Sequence, residues 1–439
     1  MRFLGVVLLA IACSEAATAR AAEDGDLDSL FDVGSKPAVE AGVGGGVTLG
    51  GYADFSGAYT VGEPQHWSKL RARLELGASG AAAGIRWKLS GRAEGDAAYD
   101  LESGHYPSSV RDDQRAGFSL REAYLDFGSG DWEFRLGRQH VVWGEMVGLF
   151  FADVVSARDL REFYLPEFEA LRIPQWAARA EYFVGDTHFE LLWIPAPSFD
   201  KIGKPGADFF PYPDIPAGTH IKEHKPSNGF DNGNWGVRAS HLVGGWDLSA
   251  FYYESLDVSP TLYRTSLAPT FEFRHDRIRQ VGATMSKDLG EFVLKGEAVH
   301  TRGRNFLTSD PGAASGLQAS DTLDYVVGVD LPIQDIWRFN VQYFGRTYYD
   351  RDFGMKEGRD EQGMTFQVVR HFGDDLEFEF LAVSSFNRED YMLRPKLTWK
   401  FAPEWRAQFG ADVFGGRSVG LFGRYDNSDR VYVELRRWF

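Results

Sequence analysis

The chain has 439 residues, with 47 Lys and Arg against 63 Asp and Glu, a formal net charge of −16, and aromatic residues making up 15% of its length. That acidity argues against a nucleic-acid binder, whose affinity rests on neutralising phosphates with Lys and Arg. The aromatic and Gly content, with a mean hydropathy of −0.31, excludes both a disordered chain and a helical membrane protein.

The chain opens with Arg2, an apolar run from Phe3 to Cys13, and the small-residue pattern Ala19-Arg20-Ala21. This predicts a signal peptide over residues 1–21, cleaved after Ala21. Cys13 is the only cysteine, so the mature chain is expected to lack disulfides and thiolate ligands. Lipidation of Cys13 is the second reading, disfavoured because Ala10 stands where Leu is usual. Residues 22–46 are expected to form a flexible periplasmic segment, with Asp24, Asp26, Asp28 and Asp32 around Leu27, Leu30 and Phe31 and a glycine cluster at Gly42 to Gly46. A solvated tail is the default for it, with a docking peptide or a plug as alternatives.

From Val47 onward apolar residues recur with period two, the mark of strands with one apolar face. Leu70, Ala72, Leu74 and Leu76 alternate with Lys69, Arg71, Arg73 and Glu75; Ile85, Trp87 and Leu89 alternate with Arg86, Lys88 and Ser90. The pattern persists through Phe189-Leu191-Trp193, Trp337-Phe339-Val341-Tyr343 and Leu376-Phe378-Phe380, and closes on Val431-Val433-Leu435 before Phe439. Short connections such as Ser79-Gly80, Gly185-Asp186 and Gly244-Gly245 alternate with long polar ones. That asymmetry predicts a closed antiparallel transmembrane β-barrel over 47–439, with about eighteen strands (sixteen being the alternative count), tight periplasmic turns and long extracellular loops. A strand-terminal Phe439 is the expected signal to the barrel-assembly machinery. Outer-membrane lipid and lipopolysaccharide are the expected surroundings.

The stretch Gly137-Arg138-Gln139-His140-Val141-Val142-Trp143-Gly144 with Phe151-Ala152-Asp153-Val154-Val155, and Leu171-Arg172-Ile173-Pro174-Gln175-Trp176 leading to Leu192-Trp193-Ile194-Pro195, resembles a family of porin-like bacterial outer-membrane barrels known only as a domain of unknown function. The resemblance is best over about Arg121 to Tyr212. It implies a transport role, with apolar cargo one candidate, and an export system or periplasmic lipoprotein as partner, because members are often encoded near resistance-nodulation-type exporters.

Strand parity assigns side chains to the lumen. Lys69, Arg71, Arg73, Arg86, Lys88, Arg92, Arg394, Lys396, Arg406 and Arg436 form an expected basic sector; Glu291, Glu297, Asp324, Glu377 and Glu379 form a more acidic one. A turn at Ser79-Gly80 would set Arg73 near Arg86 and Arg71 near Lys88, like charges that water or anions must screen. Rings of Arg or Lys favour anions; local pairing of the charges is the competing reading. The segment from Gly144 to Pro174, with Asp153, Arg158, Asp159, Arg161 and Glu162, is the candidate constriction loop. Its Leu160, Tyr164 and Phe168 have helical spacing. Leu192, Ile194, Phe251 and Phe344, inward by parity, would supply part of a path for hydrophobic cargo.

His220-Ile221-Lys222-Glu223-His224 matches H-x-x-E-H, but zinc binding by that motif needs a helix, which the surrounding prolines oppose. No cofactor, no metal and no enzymatic reaction are expected. An anion-favouring pore, an exit duct for hydrophobic cargo, and a surface adhesin or structural barrel are the readings left open.

Overall fold

The computed structural model describes residues 46–439, except 145, 147–150, 266–269 and 335. The expected signal peptide, and all but the last residue of the expected periplasmic segment, lie outside the described residues. Eighteen strands form one sheet: β1 Thr48–Thr60, β2 His66–Ala82, β3 Ile85–Asp96, β4 Ala116–Ser129, β5 Trp132–Gln139, β6 Gln175–Val184, β7 Thr187–Ala196, β8 Asn234–Val243, β9 Trp246–Leu256, β10 Arg277–Asp288, β11 Val293–Arg302, β12 Thr322–Ile333, β13 Trp337–Tyr348, β14 Asp360–Phe372, β15 Leu376–Ser385, β16 Asp390–Ala402, β17 Trp405–Gly416 and β18 Arg430–Trp438. Each strand pairs antiparallel with its neighbours in sequence. The barrel shuts where β18 pairs with β1, Asp54 opposite Arg436 and Tyr59 opposite Val431. Gly51 and Phe439 exchange backbone hydrogen bonds of 3.0 and 3.1 Å at the seam. Closure matters because hydrocarbon offers no partner to an open sheet edge.

Alternation along each strand decides which side chains meet lipid. Leu49, Phe55, Leu89, Leu125, Leu191, Val281, Val327, Phe409 and Val433 are exposed outward, while Asp54, Arg73, Asp126, Gln342, Thr365 and Asp412 are buried inside. Rings gather near the short turns: Trp132 lies 4.7 Å from Tyr182, Trp337 5.8 Å from Phe339, and Phe401 5.9 Å from Trp405, centroid to centroid. Trp176, Trp193 and Trp235 lie near the opposite rim. Two such girdles mark the two interfaces of a membrane-spanning barrel.

The β2–β3 register differs from the expected one. The turn is Ala83-Gly84, both at positive φ (52° and 78°), not Ser79-Gly80. Two residues in that conformation make the hairpin turn that matches strand twist. Gly80 remains inside β2, where Trp87 covers it; a Cβ there would lie 2.9 Å from the ring. The shift replaces like-charge neighbours with complementary ones: Arg71 faces Asp96, Arg73 faces Glu94, and Glu75 faces Arg92. Cross-strand opposite charges stabilise a pair that like charges would oppose.

Candidate functional site: a loop clamped across the lumen

The described residues of the connection from β5 to β6, 140–174, fold into the barrel. Its first part carries apolar side chains, and the wall facing it is apolar as well. Val141, Trp143, Ala152 and Val155 pack on Ala177, Leu192, Ile194, Phe251, Tyr253 and Val299, all buried. Trp143 Nε1 donates to Glu190 at 3.1 Å. Gly282 makes room for Phe251: a Cβ there would sit 2.2 Å from the ring. Glu297, on β11, accepts the backbone N–H groups of Met146 at 3.2 Å and Ala152 at 3.0 Å. Within the loop, Asp153 takes Arg172 Nε at 3.0 Å, and Ala157–Arg158 pair antiparallel with Arg172–Ile173.

The far part of the loop reaches the wall built by β16, β17, β18 and β1–β4. Glu162 inserts among Lys69, Arg71 (2.5 Å) and Arg430 (3.3 Å). Burial alone would push its carboxyl up; Arg71, Lys69 and Arg430 instead hold it well below the usual carboxylate range. Glu167 accepts from Arg406 at 2.8 Å and Arg436 at 3.0 Å, and these cations hold its carboxyl low against its burial. Arg394 donates to the Leu165 carbonyl at 2.7 Å, Arg121 to that of Glu169 at 2.6 Å, and Arg92 to that of Ala170 at 3.3 Å. Arg161 holds Asp159 at 2.6 Å and reaches Glu94 at 3.5 Å. The segment is thus fastened to opposite walls, by apolar packing on one side and charge-assisted hydrogen bonds on the other.

The helix suggested by Leu160, Tyr164 and Phe168 does not form as one piece. A 3₁₀ turn, Leu160–Glu162, and a helix of one turn, Phe168–Leu171, are separated by Phe163 at φ 54°. Pro166 adds a second break, since the residue before proline avoids the helical region.

The other sequence candidates fall as follows. Arg73 lies 3.1 Å from Glu94 and 3.7 Å from Asp54, Arg92 2.7 Å from Glu75, Lys88 2.6 Å from Glu122, and Arg86 3.9 Å from Asp126. Arg394 meets Asp412 at 2.8 Å and Lys396 meets Glu379 at 2.5 Å; Arg406 and Arg436 share Glu434 at 3.1 and 3.0 Å. Asp324 holds Arg346, and Glu377 lies 3.6 Å from His371. Arg158 donates to the Asp153 carbonyl at 2.6 Å. The basic sector is therefore interleaved with carboxylates rather than bare, because the observed register and the inward loop deliver them. Glu291 is misplaced by the parity argument: it sits exposed in the short turn before β11, outside the lumen wall. Lys222–His224 form a strand paired with Phe271–Arg274, so the H-x-x-E-H segment lacks the helix that its zinc chemistry needs.

Arg430, Asp412 and Glu434 were missed in the sequence. Arg430 bonds Asp412 at 2.8 Å and also Glu162. Strand parity contains the signal for all three, Asp412 between Ala411 and Val413 and Arg430 and Glu434 around Val431-Val433-Leu435; nothing local marks Glu162, which reaches Arg430 from the loop.

A closed eighteen-stranded barrel with an outward apolar belt, aromatic girdles and a charged lumen is a porin-type β-barrel of the bacterial outer membrane, in contact with its lipid. The chain belongs to the family described as "Protein of unknown function (DUF1302)", whose model matches residues 67–377, well beyond the Arg121–Tyr212 stretch that carries the resemblance. No curated protein matches it. Among solved structures, OccAB1 of Acinetobacter baumannii is similar at a TM-score of 0.57 and 8% identity, covering 90% of this chain and 96% of that one. OccK2 (OpdF) of Pseudomonas aeruginosa, in complex with glucuronate, gives 0.53 and 9%, over 90% and 96%. OpdK of Pseudomonas aeruginosa, with vanillate, gives 0.52 and 11%, over 89% and 98%. At these identities the likeness is one of fold.

Proposed function

We propose that the protein is an outer-membrane channel for small solutes that favours anions, with the 140–174 loop as its constriction. The observation that carries this reading is the seating of Glu162 and Glu167 in cradles of wall cations, Lys69, Arg71 and Arg430 for one and Arg406 and Arg436 for the other. A cradle that receives a carboxylate from the loop also fits a carboxylate from a passing solute, so the loop acts as a tethered competitor for the transport path. Arg-lined constrictions favour anions on general electrostatic grounds. Glucuronate and vanillate, the carboxylates bound to two structurally similar porins, are in keeping with this class of cargo.

The duct for hydrophobic molecules has less support. Leu192, Ile194 and Phe251 do face inward, but they are buried beneath Trp143 and Val155, and Phe344 packs with the Phe163–Tyr425 cluster. Their apolar surface is used to seat the loop. The reading assigns no reaction to the protein. It keeps Phe439 as the element that the assembly machinery recognises, lipopolysaccharide as the outer-leaflet neighbour, and an export system or periplasmic lipoprotein as a partner implied by family resemblance. The test is the reversal potential of single channels in a salt gradient. Anion preference, reduced when Arg71 and Arg73 are neutralised, supports the reading; a non-selective current, or one indifferent to both substitutions, overturns it.

A further inference from the structure

At the extracellular mouth, away from the loop clamp, the start of one strand and two connections meet around one carboxylate. β2 begins there with His66, the connection from β3 to β4 (97–115) brings His105 and Tyr106, and the connection from β7 to β8 (197–233) brings Asp208. His66 Nε2 lies 3.1 Å and His105 Nε2 3.7 Å from the same oxygen, Asp208 Oδ1. Tyr106 donates its hydroxyl to the other oxygen, Oδ2, at 2.8 Å. The two imidazoles stack at 3.9 Å, and one donor atom from each of His66, His105 and Asp208 falls within 4.8 Å of the others.

Protonation makes this cluster more than a hydrogen-bonded knot. His66 Nδ1 lies 2.7 Å from the Pro64 carbonyl oxygen, an acceptor only, so Nδ1 carries a proton. In the neutral ring Nε2 is then a lone pair pointed at a carboxylate. Two acceptors at that distance need a cation between them, either a second proton on the ring or a metal ion. An imidazole whose one nitrogen donates to a backbone carbonyl while the other faces a ligand set is how proteins orient metal-binding histidines.

We propose that His66, His105 and Asp208 form a binding site for a divalent transition metal of the Zn²⁺ type, with a fourth position open to water. Tetrahedral Zn²⁺ with bonds of about 2.0–2.1 Å places its ligand atoms roughly 3.3–3.5 Å apart. The distances to Asp208 Oδ1 already bracket that spacing, and the two stacked rings must splay for both Nε2 lone pairs to meet one ion. A nitrogen-rich, sulfur-free set suits Zn²⁺, Ni²⁺ or Cu²⁺ over Ca²⁺ or Mg²⁺. Tyr106 fixes the carboxylate oxygen that the metal does not use. A quarter of the His105 side chain is exposed, which gives an ion access from solvent. Because each ligand comes from a different part of the chain, the ion would tie them together. Next to Asp208, Phe209 packs against Phe414 and Tyr425 inside the barrel mouth, so the tie reaches a segment that lies over the lumen.

The experiment is calorimetric titration of Zn²⁺ into the full barrel in detergent after chelator treatment, with Co²⁺ absorption as a spectroscopic check. The folded protein is expected to bind one ion and to give the intense visible bands of tetrahedral Co²⁺. H66A, H105A and D208N, one from each of the three chain segments, should each weaken binding at least about tenfold, as loss of a ligand or its support does. H105A, the most exposed of the three, keeps the test valid should H66A misfold. No saturable binding by the parent protein overturns the proposal. So does binding that survives H105A and D208N but is lost in H220A or H224A, which would locate it in the exposed His220–His224 stretch.

Discussion

Glu162 shows at the level of one side chain how the lumen is organised. Its carboxylate meets Lys69, Arg71 and Arg430, so E162Q takes from three clustered cations the carboxylate they share and leaves Arg430 with Asp412 alone. Removing one partner of a buried ion pair costs roughly 3–5 kcal/mol, and here that falls on loop attachment, since the barrel ladder is untouched. E162Q is expected to give larger and more variable single-channel currents than the parent, with stronger anion preference. Identical current amplitudes and selectivity would remove Glu162 as a clamp. The pH dependence has a definite sign. Neighbouring cations depress the Glu162 carboxyl below its ordinary value of 4.5, so the stability it adds is complete above 4.5 and is lost only as pH falls through the lower folded value. Currents measured at pH 7 and pH 5 should therefore agree, and loop release should begin only in stronger acid. An opening transition between pH 5 and pH 7 would assign the gate to other groups.

For the element, the loop can be tested by excision. Arg158 and Arg172 are paired antiparallel neighbours, so residues 159–171 can be replaced by Gly-Gly, a two-residue link suited to such a pair. The shortened protein keeps the Trp143 and Glu297 attachments but loses Glu162 and Glu167. Conductance is expected to rise while the folded barrel keeps its heat-modifiable mobility on gels; unchanged conductance would mean the narrowest passage lies elsewhere. Phe251 offers a subtler probe. Gly282→Val places a Cβ 2.2 Å from its ring, and overpacking of this kind costs typically 1–3 kcal/mol, measurable as a lower urea midpoint. The same elements show where sequence reading stops. Period-two alternation carries strand identity and facing, because a strand repeats every two residues whatever it pairs with. Register depends on the turn, which the sequence places at Ser79-Gly80 and the structure at Ala83-Gly84; the pairing of Arg73 with Glu94 and Arg92 with Glu75 is what favours the second. The partners of Glu162 lie 91 and 268 residues away, a separation that local pattern cannot bridge. Leu192, Ile194 and Phe251 were legible as inward apolar residues, but not as the seat of a loop.

Across the whole molecule, one physical asymmetry supports everything else: lipid outside, water and charge inside. It explains how a chain of mean hydropathy −0.31 spans a membrane with no helix of the described residues long and apolar enough to cross one. The outward half of each strand supplies the apolar belt, and the inward half, rich in Arg, Asp and Glu, lowers the average. The asymmetry also makes a paired prediction on a single strand. On β10, Val281 is exposed outward near mid-strand and Ser286 lies opposite Asp247 and Lys295 on the inner side. Arginine at a lipid-facing position near the midplane costs about 2–4 kcal/mol, whereas lumen positions tolerate charge. V281R should therefore lower the unfolding free energy of the barrel in lipid by that amount. S286R should stay within about 0.5 kcal/mol of the parent, as surface substitutions do, while altering ion selectivity. The reverse order, with S286R the damaging change, would mean that β10 presents its other face to the bilayer. The inward assignment of Gln280, Thr284 and the Glu297 anchor on the paired strand would then fail together, since side chains alternate faces at every second residue and the ladder ties paired residues to the same choice.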